Sequence, residues 1–552
     1  MTFAKNNIVE LKIEDIGVNG EGIGKVEGYT LFIKDAIVGD YVKVKIMKTQ
    51  KTYGYARLME VIEPSPLRVV PKCSVARSCG GCQLQEMDYK AQLAFKKEKV
   101  KNNIERIAGI TDFEIYDTLG MDEPYYYRNK AQYPVGEDRD GNIVTGFYAG
   151  RTHSIIPCDD CVIGDEINGT ILRLIKSFME KYNIRPYNEE TGKGLVRHIL
   201  IRKGFKTGEI MVCIIINGNK LPNSEKLIET LLEIDGMTSI SLNINKEKTN
   251  IILGKKLINL YGEGFITDYI GLVKFHISPL SFYQVNPAQT HVLYGKALEF
   301  AGLTGKETVW DLYCGVGTIS LFLAKLAKEV YGVEIIPEAI EDAKNNARIN
   351  KIENATFFVG KAEEVLPGYY ENERKNGNYA RADVIVVDPP RKGCDEKLLA
   401  TIIKMKPEKV VYVSCDSATL ARDLKFLSEN GYRLCKVQPV DMFPHSVHVE
   451  TVVLLSLKNG QPKLEVTMEV DSDSNYTPEE RATYQKIKDY VKDKYGVNVH
   501  TSYIAQVKRM CGLDMGENYN KSKKENPDVK MCPQEKVEYI KDALEHFGLE
   551  II

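Results

Sequence analysis

The sequence lacks a long apolar run, an excess of charge of one sign and an apolar N-terminal segment. Its most apolar stretches, such as Met211 to Ile216 and Val452 to Leu457, are far shorter than the roughly 18 residues that span a bilayer. Lysine and arginine total 74 against 76 acidic residues, so the whole-chain charge neither requires nor excludes a nucleic-acid partner. The N-terminal letters MTFAKNNIVELKIED contain no signal-peptide core. We therefore expect a cytoplasmic protein without a transmembrane helix.

The chain is long enough for several folded domains, because 552 residues at about 150 per domain predict roughly three to four. Glycine-broken period-two alternation over 1–62 predicts a small OB-like β-barrel. Strands and helices mix over 63–280. Strand-like and helix-like runs alternate over 281–458, which predicts an α/β fold with a doubly wound parallel sheet.

The C-terminal region has a different pattern. After a polar, linker-like stretch, Thr477, Pro478 and Glu480 offer an N-cap, a first-turn proline and a capping-box carboxylate for a helix that ends near Gly496. Two further helices near 502–511 and 533–546 complete a helical module within 475–552. Its role stays open between an auxiliary nucleic-acid or partner-binding element and a packing cap.

One part of the barrel sequence is basic and aromatic. Between Tyr41 and Leu58 there is no acidic residue, and tyrosines alternate with Lys43, Lys45, Lys48, Lys51 and Arg57. Lysines can bind phosphates and tyrosine rings can stack on bases, so this face is a candidate surface for single-stranded nucleic acid. A solvated strand face is the alternative.

Twelve cysteines in a reducing compartment argue against a disulfide framework. Cys73, Cys79 and Cys82 lie close together in sequence, and Cys161 follows far downstream, with Cys158 making an additional CxxC pair. Four thiolates suit either a tetrahedral zinc ion or an iron-sulfur cluster, and their spacing alone does not separate these two.

A glycine loop marks the candidate cofactor site. The letters DLYCGVGT, from Asp311 to Thr318, follow an apolar strand and open a helix, so a ligand can approach the backbone there. The next strand ends at Glu334, a carboxylate suited to ribose hydroxyls. The third glycine of a dinucleotide motif is missing, so S-adenosylmethionine fits better than NAD.

Three further residues predict methyl-transfer chemistry. Asp388 begins an Asp-Pro-Pro-Arg segment at the end of a strand, where ligands bind in such sheets. Cys415 ends another strand before a helix, whose dipole can lower the pKa of a thiol. A thiolate that adds to C6 of uracil activates C5, and Glu450 is then a candidate base for the C5 proton, alongside His445 and His448.

Together these segments resemble the ribosomal and transfer RNA uracil-C5-methyltransferase family, and most of all its 23S ribosomal RNA branch with an N-terminal TRAM domain. The resemblance covers about residues 1 to 458. It rests on the segments GEGIGKVEG, CSVARSCGGCQLQ, FYQVNP, DLYCGVGTISL, VVDPPRKG, YVSCDSATLARDL and DMFPHSVHVETV.

The resemblance implies roles for individual residues. Cys415 would be the nucleophile and Glu450 the general base. Contacts to S-adenosylmethionine or to the reacting centre would come from Gln284, Tyr313, Glu334 and Asp388. A [4Fe-4S] cluster would be bound in the central domain by Cys73, Cys79, Cys82 and Cys161. The family often reads Ser-Cys-Asn-Pro where this chain has Asp416 and Ser417 after Cys415, and the added charge could raise the pKa of the thiol.

These implications predict a monomeric enzyme that methylates C5 of a uridine in 23S ribosomal RNA. Basic residues of the middle region would assist the barrel in binding RNA, namely Arg128, Lys130, Arg151, Arg197 and Arg202. The alternatives are a transfer RNA uracil-C5-methyltransferase and a non-catalytic RNA-binding assembly factor.

Overall fold

The computed structural model describes residues 3–150, 152–377, 381–458, 484–510 and 532–546. The chain forms two compact units, Met1–Pro462 and Lys463–Ile552, which are described separately. Arg151 and the predicted helix start at Thr477, Pro478 and Glu480 lie outside the described residues.

The N-terminal strands form the predicted barrel. They are β1 (Ile8–Lys12), β2 (Asp15–Ile16), β3 (Gly22–Val26), β4 (Tyr29–Lys34), β5 (Tyr41–Thr49) and β6 (Tyr53–Glu63). Their order in a six-stranded sheet is β1-β5-β6-β4-β3-β2. β1 and β2 are nearly continuous in sequence yet occupy opposite ends of this order, so the sheet closes on itself. Alternate side chains, such as Leu31 and Val44, fill its interior.

A helix follows the cysteine segment. Asp88 caps α1 (Tyr89–Asn103), and its side chain accepts hydrogen bonds from the backbone N–H groups of Lys90 and Ala91. The helix continues as a π-helix (Ile104–Ala108) and ends at Gly109, whose φ of 69° is left-handed. A short strand, β7 (Glu114–Ile115), comes next.

The central region is built on a seven-stranded sheet. Its strands are β8 (Lys130–Glu137), β9 (Ile143–Tyr148), β10 (Ile155–Pro157), β11 (Val196–Lys203), β12 (Ile210–Ile216), β13 (Met237–Ile244) and β14 (Lys256–Tyr261). They lie in the order β10-β9-β8-β11-β12-β13-β14. One face packs against α2 (Ile167–Lys181) and α3 (Ser224–Leu231).

The third region is an α/β sheet preceded by a hairpin. The hairpin comprises β15 (Ile266–Ile270) and β16 (Val273–Ile277). The strands of the sheet are β17 (Thr308–Asp311), β18 (Glu329–Glu334), β19 (Ala355–Val359), β20 (Val384–Val387), β21 (Lys409–Ser414), β22 (Tyr432–Val440) and β23 (Glu450–Leu457). The helices are α4 (Pro287–Ala301), α5 (Thr318–Leu323), α6 (Pro337–Ile349), α7 (Ala362–Lys375), α8 (Glu396–Met405) and α9 (Ser417–Glu429).

With β7 these strands make an eight-stranded sheet in the order β19-β18-β17-β20-β21-β23-β22-β7. Strands β17 to β21 are parallel, as predicted, and β23 is antiparallel to both of its neighbours. The order reverses between β17 and β20, which is where open α/β sheets bind ligands.

Two parts of the predicted central region, 63–280, pack on the eight-stranded sheet. Val100 and Ile104, from α1 and the π-helix, share a core with residues of the eight-stranded sheet such as Tyr412. The β15–β16 hairpin likewise contributes Ile266 and Phe275 to the core on the sheet's other face. The domain division itself stays a prediction.

The second unit contains three described helices, α10 (Tyr484–Tyr495), α11 (Thr501–Met510) and α12 (Gln534–His546). They lie close to the predicted positions and enclose an apolar core that includes Ile487, Ile504 and Ile540. In the described parts of the chain, none of the helices combines the length and the apolar character needed to cross a membrane.

Candidate active site

The sequence-predicted site residues meet at one edge of the eight-stranded sheet. Glu334 is the last residue of β18, and Asp388 and Cys415 directly follow β20 and β21. Glu450 begins β23, whose antiparallel direction brings its first residues to the same edge, with Thr451 paired to Ser414. Residues from distant parts of the sequence are therefore neighbours here.

The loop between β17 and α5 leaves its backbone open to a ligand. Asp311 is fully buried, and one of its carboxylate oxygens accepts a hydrogen bond from Ser320 Oγ at 2.6 Å. Gly315 has a φ of 52°, and a Cβ added there would meet no protein atom within 4 Å. At Gly317, with a φ of 81°, the added Cβ would lie 3.1 Å from Ala343 Cβ. The first glycine thus faces open space and the second allows close packing.

A cavity of about 1470 Å³ joins these elements. All the predicted cofactor and catalytic residues line it, namely Gln284, Tyr313, Glu334, Asp388, Cys415 and Glu450. Ile335 and Ile336 add exposed apolar surface beside Glu334. An apolar wall next to a carboxylate and an open glycine backbone is suited to a nucleoside with a polar tail.

The thiol of Cys415 does not have the lowered pKa that a helix N-terminus alone would give. Burial, followed by the negative charges of Glu450 and Asp388, raises the pKa of Cys415 to about 11, while Arg391 acts to lower it. The expected effect of the helix dipole is therefore outweighed by desolvation and by two carboxylates.

Asp416 does not have the expected influence on the pKa of the Cys415 thiol. Its carboxylate caps α9 by accepting hydrogen bonds from the N–H groups of Ala418, at 2.9 Å, and Thr419, at 3.0 Å. Glu450 and Asp388, rather than Asp416, are the charges that raise the pKa of Cys415. Asp416, where this chain departs from the family pattern, thus caps α9.

Two carboxyl groups of the site are shifted toward their protonated forms. Burial, then the charge of Asp388, raises the pKa of Glu450 to about 8, with Arg391 opposing. Burial, then the charge of Asp311, raises the pKa of Asp388 to about 7. Strongly shifted acids in a cavity are typical of groups that exchange protons in catalysis.

The two histidines of the preceding loop occupy different environments. His445 is 2% exposed, stacks on Tyr125 with ring centroids 4.4 Å apart, and has its pKa lowered to about 4, chiefly by burial. His448 lines the cavity, and burial followed by the charge of Arg391 lowers its pKa. Only His448 could act on a molecule in the cavity.

The sequence matches two known protein-family models. Residues 88–458 match the model of the tRNA (uracil-5-)-methyltransferase family, and residues 4–59 match that of the TRAM domain. The chain belongs to the tRNA (uracil-5-)-methyltransferase family. The prediction of an RNA uracil-C5-methyltransferase with a TRAM domain is confirmed, and so is the prediction of an enzyme.

Individual relatives cover most of the chain. An uncharacterized RNA methyltransferase of Halalkalibacterium halodurans is 54% identical over 456 residues, which are 82% of this chain and 98% of the relative. One from Clostridium acetobutylicum is 52% identical over 454 residues, which are 82% of this chain and 97% of that protein. The crystal structure of Pyrococcus abyssi tRNA (uracil-54, C5)-methyltransferase in complex with S-adenosyl-L-homocysteine has 28% identity and a TM-score of 0.66, and the match covers 81% of this chain and all of that one.

One residue of this uracil methyltransferase site was missed by sequence reasoning. Phe282 lines the cavity and is 68% exposed, two residues before Gln284. An exposed aromatic ring in a cavity is able to stack on a flat base. Its place in the FYQVNP segment was the only sequence signal for it.

The cysteines of the central region converge beside the same cavity. Cys158 lies within hydrogen-bond reach of both Cys73 and Cys161, which lowers the pKa of Cys73 to about 6 and that of Cys161 to about 7. Burial raises the pKa of Cys79 and that of Cys82, the latter to about 12, and the charges of Cys73 and Cys161 also act on both. Gly81 and Ile163, next to these cysteines in sequence, line the cavity.

The [4Fe-4S] cluster predicted on Cys73, Cys79, Cys82 and Cys161 is not shown by this arrangement. Within the described ranges, no group of three or more His, Cys, Asp or Glu side chains stands in a geometry that could hold a metal ion. Cys158, which was left out of the predicted ligands, lies between two of them. Neighbouring thiols nonetheless offer donors that suit either zinc or an iron-sulfur cluster.

The described basic residues predicted to contact RNA differ in exposure, and Lys130, the first residue of β8, is half-buried. Arg128 lines the cavity. Arg197 and Arg202 are 5% and 2% exposed, and they donate hydrogen bonds to main-chain carbonyls, among them Asn245 O and Ser281 O. These two arginines are buried and bind the main chain of the protein itself, so the prediction that they contact RNA is wrong.

Proposed function

We propose that this enzyme transfers a methyl group from S-adenosylmethionine to C5 of a uridine in RNA, through a covalent bond between Cys415 and C6 of the base. The observation that carries the proposal is the convergence of Cys415, Glu450 and Asp388 in one cavity with an open glycine loop. Membership of an RNA uracil-C5-methyltransferase family supports the same reaction.

The glycine-loop side of the cavity would hold S-adenosylmethionine, which supplies an electrophilic methyl group when bound. Glu334 would accept hydrogen bonds from the ribose hydroxyls, and the backbone at Gly315 leaves room for the amino-acid portion. Tyr313, Asp388 and Gln284 would complete the pocket toward the reacting centre. The positive charge of a sulfonium would also favour ionised Asp388 and Cys415.

Cys415 would start the reaction. Its thiolate forms a bond to C6, and the electron pair of the C5–C6 double bond moves toward the carbonyl oxygen at C4 as an enolate. C5 would then form a bond to the methyl carbon while the bond between that carbon and the sulfonium sulfur breaks, so that S-adenosylhomocysteine is the leaving group. The proton of the Cys415 thiol would first pass to water, and the charge of Arg391, which acts to lower the pKa of Cys415, would stabilise the thiolate.

Glu450 would complete the reaction as the general base. In its carboxylate form it removes the proton from C5, the C5–C6 double bond re-forms, and the bond between C6 and Sγ breaks to return the thiolate. His448 lies on the same cavity wall, but the charge of Glu450, not that of His448, acts on the Cys415 thiol. We therefore assign the base to Glu450.

The barrel would bind RNA next to the site. Phe32, Tyr53 and Tyr55 form an aromatic group with ring centroids 5.7–5.8 Å apart, and the two tyrosines are 36% and 37% exposed. Lys45 and Arg57 are opposite each other on β5 and β6, and like charges in that arrangement favour an anionic partner. Stacking on exposed rings would hold unpaired bases.

The central cysteines would bind a [4Fe-4S] cluster, with Cys73, Cys79, Cys82 and Cys161 as ligands and a structural or RNA-positioning role. Anaerobically purified protein should then contain iron and acid-labile sulfide in equal amounts and absorb visible light. Cys79→Ser should lose both, whereas Cys435→Ser, a half-buried cysteine of β22, should keep them. Bound zinc without sulfide would contradict the cluster.

We propose 23S ribosomal RNA as the substrate, because the barrel and the cysteine segment resemble the ribosomal branch of the family. Transfer RNA is the second candidate, since the similar Pyrococcus abyssi enzyme is a tRNA (uracil-54, C5)-methyltransferase. The enzyme would act as a cytoplasmic monomer, and the helices of 475–552 would be an appendage of the methyltransferase.

The test is to incubate the protein with labelled S-adenosylmethionine and, separately, ribosomal and transfer RNA, and to map 5-methyluridine by mass spectrometry. Label in ribosomal RNA that is absent with Cys415→Ala would support the proposed substrate. Label in transfer RNA alone would replace it by the second candidate. Label in neither RNA, with cofactor bound, would favour a non-catalytic assembly factor.

A further inference from the structure

The loop of residues 441–449 lines the cavity with Phe443, Ser446 and His448, and Glu450 follows directly after it. It connects β22 to β23, and Val440 and Glu450 are paired across these strands. Within it, His445 has a φ of 67°, a left-handed conformation that is unusual for a residue other than glycine. Contacts from other parts of the chain must therefore hold the loop in place.

Several of these contacts come from α1, which buries two polar side chains, Gln92 and Lys96, together with Val100. Gln92 and Lys96 are both 0% exposed. Gln92 Oε1 accepts a hydrogen bond from the N–H of His445 at 3.0 Å. Lys99 Nζ donates to the carbonyl of Val447 at 2.9 Å. A helix that only had to pack on the sheet would present apolar residues on this face.

Lys96 makes the most deeply buried contact of this set. Its Nζ lies 2.5 Å from Asp441 Oδ1, neither side chain has any exposed surface, and it also donates to the carbonyl of Phe443 at 3.1 Å. Asp441 Oδ2 accepts a hydrogen bond from Tyr89 at 2.9 Å. Burial lowers the pKa of Lys96, and the charge of Asp441 opposes this.

A buried ion pair is a costly way to attach a helix. Replacing such a pair by apolar residues of similar size is often neutral or stabilising, so helix packing alone does not explain it. An apolar pair could not bind both a carboxylate and a carbonyl of the loop at defined positions. Asp441 follows Val440, the residue paired with Glu450, so the ion pair lies directly beside the strand pair that places Glu450.

We infer that Lys96 is a positioning residue for methylation, which fixes the loop through Asp441 and Phe443 and so sets the orientation of Glu450. The inference rests on the proposed role of Glu450 as base. The same loop is bound by the cysteine segment, since the N–H groups of Gln83 and Leu84 donate to the carbonyl of His445 at 3.0 and 2.9 Å. Lys96 thus holds one end of a loop whose middle is attached to the residues after Cys82.

The experiment compares Lys96→Met, the double variant Lys96→Met with Asp441→Asn, and the wild type. The double variant is included because Lys96→Met alone leaves a buried, unpaired carboxylate and can fail to fold. Lys97→Met is the matched control, since Lys97 is the next residue of α1 and forms an ion pair with the 95%-exposed side chain of Asp117. Each full-length protein is tested for thermal unfolding, S-adenosylmethionine binding, methylation rate, KM for RNA and the amount of covalent protein–RNA complex.

The double variant should fold and bind S-adenosylmethionine within about twofold of the wild type, with kcat lowered about tenfold to a hundredfold and KM little changed. The covalent complex should accumulate, because removal of the C5 proton becomes slow. Lys97→Met should behave as the wild type. If Lys96 had a purely structural role, the double variant would have lower thermal stability and the covalent complex would not accumulate.

Three results would overturn the inference. They are normal turnover in a folded double variant, slow turnover without accumulation of the complex, and an equal loss in Lys97→Met. The variant Glu450→Gln distinguishes failure of the inference about Lys96 from failure of the proposed function. If Glu450→Gln is slow and the double variant is normal, only the role of Lys96 is wrong; if Glu450→Gln is normal, the base assignment is wrong as well.

Discussion

The eight-stranded and seven-stranded sheets both bury polar side chains, but in different surroundings. In the eight-stranded sheet, Asp388, Cys415 and Glu450 lie at strand ends along one edge, where the cavity opens. In the seven-stranded sheet, Arg197 and Arg202 lie within β11 and bind main-chain carbonyls of the same chain.

The difference separates groups that act on a ligand from groups that maintain the scaffold. A side chain at a strand end has protein on one side and the cavity on the other, so its proton or lone pair is free for a substrate. A polar group within a covered strand must be satisfied by its own chain. Arg197 Nη1 illustrates this, since it donates hydrogen bonds to two carbonyls, and the guanidinium lies 4.5 Å from the ring centroid of Tyr187, although Nε is buried without a hydrogen-bond partner among the described residues.

Cys415→Ala should give the largest effect, because it removes the atom that bonds to C6. Methylation should fall at least about 10³-fold, while S-adenosylmethionine binding is retained. Cys435→Ala, which changes a half-buried thiol within β22, should leave the rate unaltered. Rate measurements with labelled cofactor check both, and comparable losses would mean that position at a strand end has no special significance.

Glu450→Gln should slow turnover about 10²-fold by removing the base but leave C6 addition intact. Covalent protein–RNA complex should therefore build up, which gel electrophoresis detects. Glu396→Gln, an exposed carboxylate in the first turn of α8, is the control. A fast Glu450→Gln enzyme would remove Glu450 from the site chemistry and leave His448 as the candidate base.

The pH dependence tests whether Glu450 acts as a carboxylate. Its pKa is raised to about 8, so the active, deprotonated fraction increases as the pH rises through that value. The ratio of the kcat/KM of the wild type to that of Glu450→Gln should grow about tenfold from pH 7 to pH 9. A ratio that is flat over this range would contradict the assignment.

Arg197→Met should produce the opposite pattern to the site variants. It removes two hydrogen bonds to carbonyls and should lower the free energy of unfolding by about 2 kcal/mol, with kcat and RNA affinity nearly unchanged. Denaturant titration and RNA-binding assays measure the two effects. A loss of RNA affinity without a loss of stability would restore the original prediction that Arg197 contacts RNA.

The smallest expected effect is on thermal stability. A pKa raised from 4.5 to about 8 means that the stability contributed by Glu450 is fully present below pH 4.5 and is lost as the pH rises through about 8. The Tm of Glu450→Gln minus that of the wild type should therefore increase by about 1–2 °C as the pH rises from 6 to 9. An unchanged difference across this range would mean that the carboxyl is less perturbed in the folded protein.

The strand ends explain why so much of the site was predictable from the sequence. Parallel strands of apolar residues are recognisable in sequence, and their carboxyl ends must share one edge, so Glu334, Asp388 and Cys415 could be brought together without a structure. The glycine loop at Gly315 and Gly317 is equally local. Its missing third glycine already favoured S-adenosylmethionine over NAD.

What could not be predicted depends on contacts between distant residues. The high pKa of Cys415 arises from burial and from carboxylates on two other strands, and these outweigh the local helix dipole. The buried Lys96 of α1 has its partner 345 positions away in sequence, at Asp441. Arg197 and Arg202 were predicted to contact RNA because a single sequence does not reveal which strand faces are covered.

Trapping the covalent intermediate would test most directly whether Cys415 bonds to C6 of the uridine. RNA that carries 5-fluorouridine has fluorine in place of the proton that Glu450 removes, so the bond between Cys415 and C6 should persist after methyl transfer. The expected result is a stable complex that depends on S-adenosylmethionine and whose cross-linked peptide contains Cys415. A complex linked through another residue, or no complex while ordinary RNA is methylated, would contradict it.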